Sequence, residues 1–158
     1  MKVNIKSYDS AKDTLIHIQT VHRFVIDVIY ALLNMTASHD NSKLFEPEKD
    51  IFDEYTPKLK KSTYGDAEYK QFLKEMGVGL NHHYEHNRHH PEHFENGIND
   101  MTLMDLIEMV CDWKAATLRH DDGNIHKSID INSRRFNIDK QLTSIIHNTI
   151  KALGWLNC

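Results

Sequence analysis

The chain has 158 residues, which suits one domain that buries about two-thirds of its unfolded surface, so we predict a single domain over residues 1–158. The formal net charge is −4, from 19 Lys and Arg against 23 Asp and Glu. This balance argues against a nucleic-acid duplex as a partner, because neutralising phosphates requires a cationic surface. A hydrophobic content of 40% and a charged content of 27% argue against disorder, and only three Pro and six Gly favour long helices over many short strands.

Neither the N-terminus nor the cysteines suggest export or a membrane. Met1–Asp13 mixes Lys, Asp, Asn and Ser without an apolar core, which does not fit a secretory signal. We find no stretch that approaches the roughly 18 apolar residues of a membrane-spanning helix, and we expect no membrane partner. Cys111 and Cys158 are too few for a disulfide framework. We therefore expect a cytoplasmic protein.

Hydrophobic periodicity predicts the first helix, from about Ser10 to Met35. Apolar side chains recur there at steps of three and four, as a helix that faces a core requires. These positions are Leu15, Ile18, Val21, Val25, Val28, Ile29 and Leu32. Either Ser10 or Asp13 could cap this helix.

Proline and glycine signals indicate where the next helices begin and end. Glu46-Pro47-Glu48 predicts the first turn of a second helix, because Pro is tolerated there and acidic residues suit the helix dipole. Pro57 and the lysines that follow it predict a loop. A third helix is expected to end at Pro91 and to be weakened by Gly77 and Gly79.

A cap and a turn complete the helical prediction. Thr102-Leu-Met-Asp105 is typical of a capping box ahead of an apolar run, and Asp121-Asp122-Gly123-Asn124 is typical of a turn. The sum is about six helices and no convincing pair of strands, so we predict an all-α fold. Beyond the second helix, the predicted helices cover residues 66–87, 103–118, 125–135 and 138–156.

Histidine is the compositional outlier. The chain has twelve histidines, and six of them fall within the segment Asn81–His93. Imidazole is the commonest side-chain ligand for zinc, manganese, iron and nickel, so this density favours a metal site. On a helix, His83, His86 and His90 would share one face, but Pro91 interrupts the helix, and spacing does not decide which histidines bind. The alternative is an exposed, polar helix end.

Two further features supply candidate ligands. His39 and Asp40 are adjacent, so both side chains can reach one metal only at a bend or at a helix start. The alternative is that Asp40 or Ser42 caps the following helix. Asp112 lies in an otherwise apolar run, where a bare carboxylate would be costly. Asp105 belongs to the capping box and Glu108 could be solvated, so Asp112 is the first choice for a carboxylate ligand.

Basic and amide side chains in the last third of the chain could bind a phosphate. Ser128, Asn132 and Arg135 share one helical face, and Lys127 lies beside it. A guanidinium fork with side-chain donors suits a phosphate. The alternative is a solvated, charged face with structural ion pairs.

Together these residues resemble the HD-domain superfamily of metal-dependent phosphohydrolases. Its members are all-α domains whose site combines a His on the first helix, an adjacent His-Asp pair and a later Asp. His39-Asp40 matches the pair, Lys43 matches a lysine often found three residues beyond it, and Asp112 matches the later Asp. Many members add histidines between the pair and the last Asp to hold a second metal. The histidines of this chain that match are His82, His83, His89 and His90.

The resemblance to HD domains leaves the first-helix histidine in question. It would be His17 or His22, and His17 lies 22 residues before His39. If residues 10–35 form one straight helix, His17 is about 25 Å from its end at 1.5 Å per residue. Either the helix breaks near Asn34, or His17 is not a metal ligand.

A second resemblance covers residues 14–150. The runs HDNSK, YGDAEYK, HHYEHNRHHPEHF and MTLMDLIEMVCDWKAAT are similar to an uncharacterised family of small bacterial and phage-encoded proteins. This likeness implies little about function.

The HD resemblance implies a phosphohydrolase that acts on a nucleotide or another small phosphate ester with one or two divalent ions of Mn, Fe, Zn, Ni or Co. Such an ion activates water and polarises the phosphoryl oxygen. Lys43, with Arg88 or Arg135, would neutralise the phosphate, and His86 or Glu108 would serve as general acid or base.

Two functions other than a phosphohydrolase stay open, and one protein partner is expected. The excess of histidine over the needs of one site suits a non-catalytic metal-binding or interaction protein, such as a phage-encoded modulator of a host protein. Some HD-like domains use the same ligand set for oxygen chemistry, which implies a di-iron oxygenase as a third hypothesis. HD-like proteins often dimerise, so a homodimer is an expected partner.

Overall fold

The regular structure is entirely helical in the part of the chain that the computed structural model describes, residues 8–63, 65–119 and 123–155. These residues form seven α-helices and three short 3₁₀ turns, without a strand, which confirms the all-α prediction. The α-helices are α1 Ala11–Thr36, α2 Glu48–Lys61, α3 Ala67–Glu75, α4 Gly77–His86, α5 Leu103–Thr117, α6 Ile125–Arg135 and α7 Lys140–Ala152. The 3₁₀ turns are Asn41–Leu44, Pro91–His93 and Gly97–Asp100.

Packing divides the chain into two units, Met1–Ala37 and Ser38–Cys158. The single domain over residues 1–158 stays a prediction. The first unit contains α1, and the second contains every other helix.

Helix α1 has the predicted length but not the predicted burial. It contains no buried residue, and Ile18 and Val25, both expected to face a core, are 56% and 52% exposed. The expectation of a core-facing helix is therefore wrong for the described residues. Periodicity fixes where the apolar face lies on a helix, but it does not fix which surface covers that face.

The same segment bears on the expectation of no membrane partner, which stays a prediction. By length and composition alone, Ala11–Leu44 is long and apolar enough to cross a membrane. The core helix of a soluble protein or a signal sequence near the N-terminus meets the same criterion. Polar residues such as Arg23 and Asp27 interrupt the apolar positions, which is why no unbroken apolar run is visible in the sequence.

The hydrophobic core of the second unit lies among the last three helices. Helix α6 packs against both α5 and α7. The buried core residues are Met109, Val110, Trp113, Ile125, Ile129, Ile138, Ile146 and Ile150. Their spacing of three and four along each helix places one apolar stripe of each helix against its neighbours.

Helices α2, α3 and α4 form the other part of this unit and differ from the prediction at three points. Helix α2 continues through Pro57 to Lys61, so this proline lies inside the helix and not in a loop. The predicted third helix is two helices that meet at Met76. Helix α4 ends at His86, before Pro91, so the last histidines of the cluster lie in a turn.

Side-chain caps fix the starts of four helices in the second unit. Asp66 accepts a hydrogen bond from the Tyr69 amide at the start of α3. The capping box of Thr102 and Asp105 is present at the start of α5, as predicted. Asn124 and Asp139 cap α6 and α7. The predicted turn over Asp121-Asn124 lies partly outside the described residues.

Candidate metal centre

A tight turn presents the His39-Asp40 pair. Asp40 has a left-handed backbone conformation, with φ of 58°, which Asp tolerates better than most residues because its short side chain can bond locally. It immediately precedes the Asn41–Leu44 turn. Lys43, in that turn, lies with Nζ 2.7 Å from Asp40 Oδ2. The bend lets two adjacent side chains reach the same centre, as the sequence required.

One oxygen of Asp40 faces a cluster of imidazoles. Asp40 Oδ1 lies 3.4 Å from His83 Nε2 and 3.5 Å from His89 Nε2. His83 Nε2 lies in turn 2.9 Å from His90 Nε2. His83 belongs to α4, whereas His89 and His90 lie in the bend between α4 and the Pro91–His93 turn. These donor atoms converge because the chain reverses after His86.

The second oxygen of Asp40 faces a different group. His39 Nε2 lies 3.7 Å from Asp40 Oδ2 and 3.7 Å from Asp112 Oδ1. Asp112 projects from α5, one turn after Glu108, whose Oε1 lies 2.9 Å from His39 Nδ1. Because an ionised carboxylate only accepts hydrogen bonds, Glu108 holds the hydrogen of His39 on Nδ1 and turns Nε2 towards the two aspartates.

Glu48 fixes the orientation of the imidazole at His83. This glutamate is 0% exposed, and Oε2 lies 2.9 Å from His83 Nδ1. Its other oxygen lies 2.7 Å from His82 Nδ1, and Ser42 Oγ donates to Oε2 at 3.0 Å. A buried carboxylate that binds the far nitrogen of a histidine is the usual companion of a histidine that ligates a metal.

Three sets of donor atoms in the described residues are close enough to hold a metal ion. In each set the ligand atoms all lie within 4.8 Å of one another. We call Asp40, His83, His89 and His90 the imidazole group, and His39, Asp40 and Asp112 the carboxylate group. The third set is His39, His89 and Glu108. The centre is thus compatible with metal binding through imidazole nitrogens and carboxylate oxygens.

Two atoms of the imidazole group favour a bound cation. Asp40 Oδ1 and His89 Nε2 are buried and have no hydrogen-bond partner in the described residues. An unpartnered buried acceptor is costly, and a cation between the two atoms would satisfy both.

The protonation states of the imidazole group suit a metal, whereas His39 keeps a proton that a metal would have to displace. Burial lowers the pKa of His83 to about 4 and that of His90 to about 2, and it lowers the pKa of His89 as well. Burial by itself would raise the pKa of Asp112, but the nearby His39, His89, His90 and Lys43 together outweigh it and lower the pKa to about 2. Asp112 and Glu108 raise the pKa of His39 to about 9, against the effect of burial.

Eight residues predicted for the site lie outside these three groups, and four of them belong to other contacts or to another helix. His82 binds Glu48, and His86 bonds the His82 carbonyl and stacks on the His82 ring at 3.9 Å. Arg88 makes a two-pronged contact with Asp105, at 3.1 and 3.0 Å, so it supports the start of α5. His17 lies on α1 in the first unit, and none of the three groups includes it.

A cavity of about 860 Å³ adjoins the centre. Asp40, His83, His90 and Asp112 line it, so the ligands of both groups face the same space. The basic side chains around the cavity are Lys43, Lys60, Arg119, Lys127 and Arg135. Asn132 lines it too, and Trp113 and Phe136 contribute aromatic surface. The predicted phosphate-binding residues other than Arg88 therefore share a cavity with the centre.

Sequence reasoning missed Glu48. It lies 34 residues before His82 and 35 before His83, and no spacing links positions that far apart. Its place in the first turn of a helix suggested a role towards the helix dipole only. Glu108 was considered as an acid or base, but in the structure it is 6% exposed and bonds His39.

Comparison with known proteins identifies a family, but it finds no similar curated protein or solved structure. No curated protein and no solved structure matches the chain. One family model matches residues 6–152, which covers all seven α-helices and every residue of the candidate centre. On this match the chain belongs to the family of unknown function DUF5662.

Proposed function

We propose that this protein is a metal-dependent phosphohydrolase that acts on a nucleotide or another small phosphate ester. The observation that carries the proposal is a pair of buried, unpartnered atoms, Asp40 Oδ1 and His89 Nε2, which lie 3.5 Å apart. His83 Nε2 lies 3.4 Å from Asp40 Oδ1, and both residues line a cavity that is rich in basic side chains. The resemblance to HD domains agrees with this reading.

The imidazole group and the carboxylate group would hold one ion each. A divalent ion bound there lowers the pKa of a coordinated water and offsets charge on a phosphoryl oxygen. The donor set fits such ions, because neutral imidazoles and ionised carboxylates are their common protein ligands. Glu48 and Glu108 keep the imidazoles of His83 and His39 in the required orientation.

The chain's own cations would bind the phosphate. Lys43 Nζ already lies beside the centre, 2.7 Å from Asp40 Oδ2, and Lys127 and Arg135 line the same cavity. Positive side chains around a developing phosphoryl charge stabilise it more than water does, because the site is partly shielded from solvent. The stacked rings of Trp113 and Phe136, with centroids 6.5 Å apart, give the cavity an apolar wall for the rest of the ester.

The first experiment combines elemental analysis with a substrate screen. The full chain is purified without a tag or chelator, its metal is measured, and a panel of phosphate esters is assayed with that metal. We expect metal-dependent hydrolysis that Asp112→Ala abolishes. Asp130→Asn, a change to a surface carboxylate of α6 outside all three groups, is the matched control. Full turnover by Asp112→Ala would contradict the assignment.

A non-catalytic metal-binding protein is the second candidate. The imidazole group supplies four protein ligands, and a structural metal fills its coordination shell with protein atoms alone. A tightly retained metal without hydrolysis of any ester in the panel would favour this candidate, including a modulator of another protein. Iron in a coloured protein would instead favour oxygen chemistry.

A further inference from the structure

The two oxygens of Asp40 face donor groups of different chemistry. Oδ1 faces the imidazoles of His83 and His89, at 3.4 and 3.5 Å. Oδ2 faces His39, at 3.7 Å, and Lys43, at 2.7 Å. Asp40 therefore belongs to both groups but offers a different atom to each. A carboxylate in this position can bridge two ions that are otherwise held by separate residues.

Donor type separates the two positions. The imidazole group has three nitrogen donors and one oxygen, which suits borderline ions such as Zn²⁺, Co²⁺ and Ni²⁺. The carboxylate group has one nitrogen donor and two aspartates, which suits harder ions such as Mn²⁺ and Mg²⁺. The hard and the borderline donors are thus sorted onto opposite sides of Asp40.

Burial separates the positions as well. The side chains of His83 and His89 are each 2% exposed. The contact with Glu48 fixes the ring of His83. The side chains of His39 and Asp112 are 29% and 23% exposed. Donors that are rigid and dry hold an ion tightly and release it slowly, whereas partly exposed donors allow exchange with solvent.

The ammonium of Lys43 lies closest to the carboxylate group. It lies 2.7 Å from the oxygen of Asp40 that faces the carboxylate group. An ion bound there has to displace this contact or tolerate a nearby like charge, which reduces its affinity.

We propose that the two positions select different metals: a borderline transition ion is held tightly by the imidazole group, and a harder, exchangeable ion is held by the carboxylate group. This inference rests on the metal centre of the proposed function, but it does not require any particular reaction. It predicts a mixed-metal centre in which one ion is resident and the other responds to its free concentration.

The test is metal binding by the full chain, without an activity assay. Protein loaded with Zn²⁺ is dialysed against a mild chelator and its zinc is measured. Mn²⁺ is then titrated in, and the loss of the free-ion electron paramagnetic resonance signal counts the bound Mn²⁺. We expect about one zinc to survive dialysis and about one Mn²⁺ to bind in addition, at least about tenfold more weakly.

Two variants assign the ions to their positions. Asp112→Asn is expected to abolish Mn²⁺ binding and to leave the retained zinc in place. His90→Ala is expected to lose zinc retention while still binding Mn²⁺. Circular dichroism and thermal unfolding check that each variant is folded, and the titration of the unmodified chain stands even if one variant is not.

Several results would overturn the proposal. Zn²⁺ and Mn²⁺ competing for one site would do so, as would two equivalents of one metal with equal affinity. Absence of any bound metal would overturn both this proposal and the proposed function. Two different ions bound as expected, without hydrolysis of any phosphate ester, would support the selection of metals and reject only the phosphohydrolase.

Discussion

The Nε2 atoms of His83 and His90 lie 2.9 Å apart at the border of the cavity. His83 Nδ1 faces Glu48, a carboxylate that accepts hydrogen bonds only, so the hydrogen of the neutral ring is on Nδ1 and Nε2 carries a lone pair. Burial lowers the pKa of His90 to about 2, so this ring is neutral as well. At this distance His83 Nε2 accepts a hydrogen bond from His90 Nε2, and the two nitrogens could share a cation once that hydrogen is displaced. Glu48 is the residue that enforces the arrangement at His83.

Replacement of Glu48 therefore tests the arrangement. Glu48→Gln keeps the size of the side chain. In the unmodified chain, Nδ1 of His82 and of His83 donates to the carboxylate of Glu48, whereas in the variant these nitrogens face the amide hydrogens of Gln. We expect metal affinity to fall by about 10–100-fold, the usual effect of removing a group that orients a metal ligand. Competition with a chelator of known affinity measures the change.

Glu54→Gln is the matched control for Glu48→Gln. Glu54 lies on the same helix, its side chain is 59% exposed, and it pairs with Lys58 at the surface. We expect this change to leave metal affinity intact. Unchanged affinity in a folded Glu48→Gln protein would show that Glu48 does not orient the ligands.

Local signals predicted the helices well where the cause is local. The capping box at Thr102 and the length of α6 follow from residues within one turn of each helix end. The exposure of α1 and the break at Met76 do not, because burial and helix packing depend on residues far away in the chain. Pro57 was expected to end α2, but α2 continues to Lys61 and packs against α4.

In the candidate centre, too, local sequence predicted some residues, and contacts between distant parts of the chain decided the others. Residue type and adjacency pointed to His39, Asp40 and Asp112, and the structure brings these three together. The choice among the clustered histidines depends on the reversal of the chain after His86, which turns His89 towards Asp40 and leaves His86 on the surface of α4. No sequence spacing could have indicated that reversal.

A second prediction concerns the contact between Arg88 and Asp105. Asp105 is 0% exposed and accepts hydrogen bonds from Arg88 and from the Thr102 amide and hydroxyl. Asp105→Asn keeps the shape but places amide hydrogens against the guanidinium. We expect a loss of stability on the order of 2 kcal/mol at neutral pH, measured by urea unfolding, because a helix cap and a charged hydrogen bond weaken together.

The pH dependence of that loss follows from the pKa of Asp105. Burial by itself would raise this pKa, but the hydrogen bonds from Arg88 and Thr102 outweigh it and lower the pKa below its ordinary value. The ionised carboxylate therefore stabilises the fold fully above the unfolded pKa of about 3.9, and this contribution is lost as the pH falls through the folded value. The stability difference between the unmodified chain and Asp105→Asn should shrink below about pH 4. A difference that grows on acidification would contradict this account.

A third prediction concerns the cations of the cavity and depends on the proposed function. Lys127 is exposed at the cavity, and Lys127→Ala removes one positive charge without disturbing a buried contact. We expect KM for the phosphate ester to rise several-fold with little change in kcat, because the charge contributes to binding in both the ground state and the transition state. Lys151→Ala, at the end of α7 and outside the cavity lining, should leave KM unchanged. Equal effects of the two changes would remove Lys127 from the substrate site.

The last prediction compares two glycines of α4. An added Cβ at Gly79 would lie 2.8 Å from Ile51 Cδ1 and 3.1 Å from Ile51 Cβ, whereas at Gly77 it would meet nothing within 4 Å. Alanine favours a helix over glycine by up to about 1 kcal/mol, but overpacking costs about 1–3 kcal/mol. We therefore expect Gly77→Ala to be neutral or slightly stabilising and Gly79→Ala to be destabilising, measured as urea midpoints with an unchanged m-value.

The same pair of glycine variants links packing to the metal centre. Ile51 belongs to α2, which carries Glu48, and Gly79 lies one turn before His83 on α4. Relief of the clash at Gly79 requires α2 and α4 to move apart, which lengthens the 2.9 Å contact between Glu48 and His83. Gly79→Ala should therefore weaken metal binding as well as stability, and Gly77→Ala should weaken neither. A Gly79→Ala protein that is destabilised but binds metal with full affinity would show that the centre tolerates a shift between these helices.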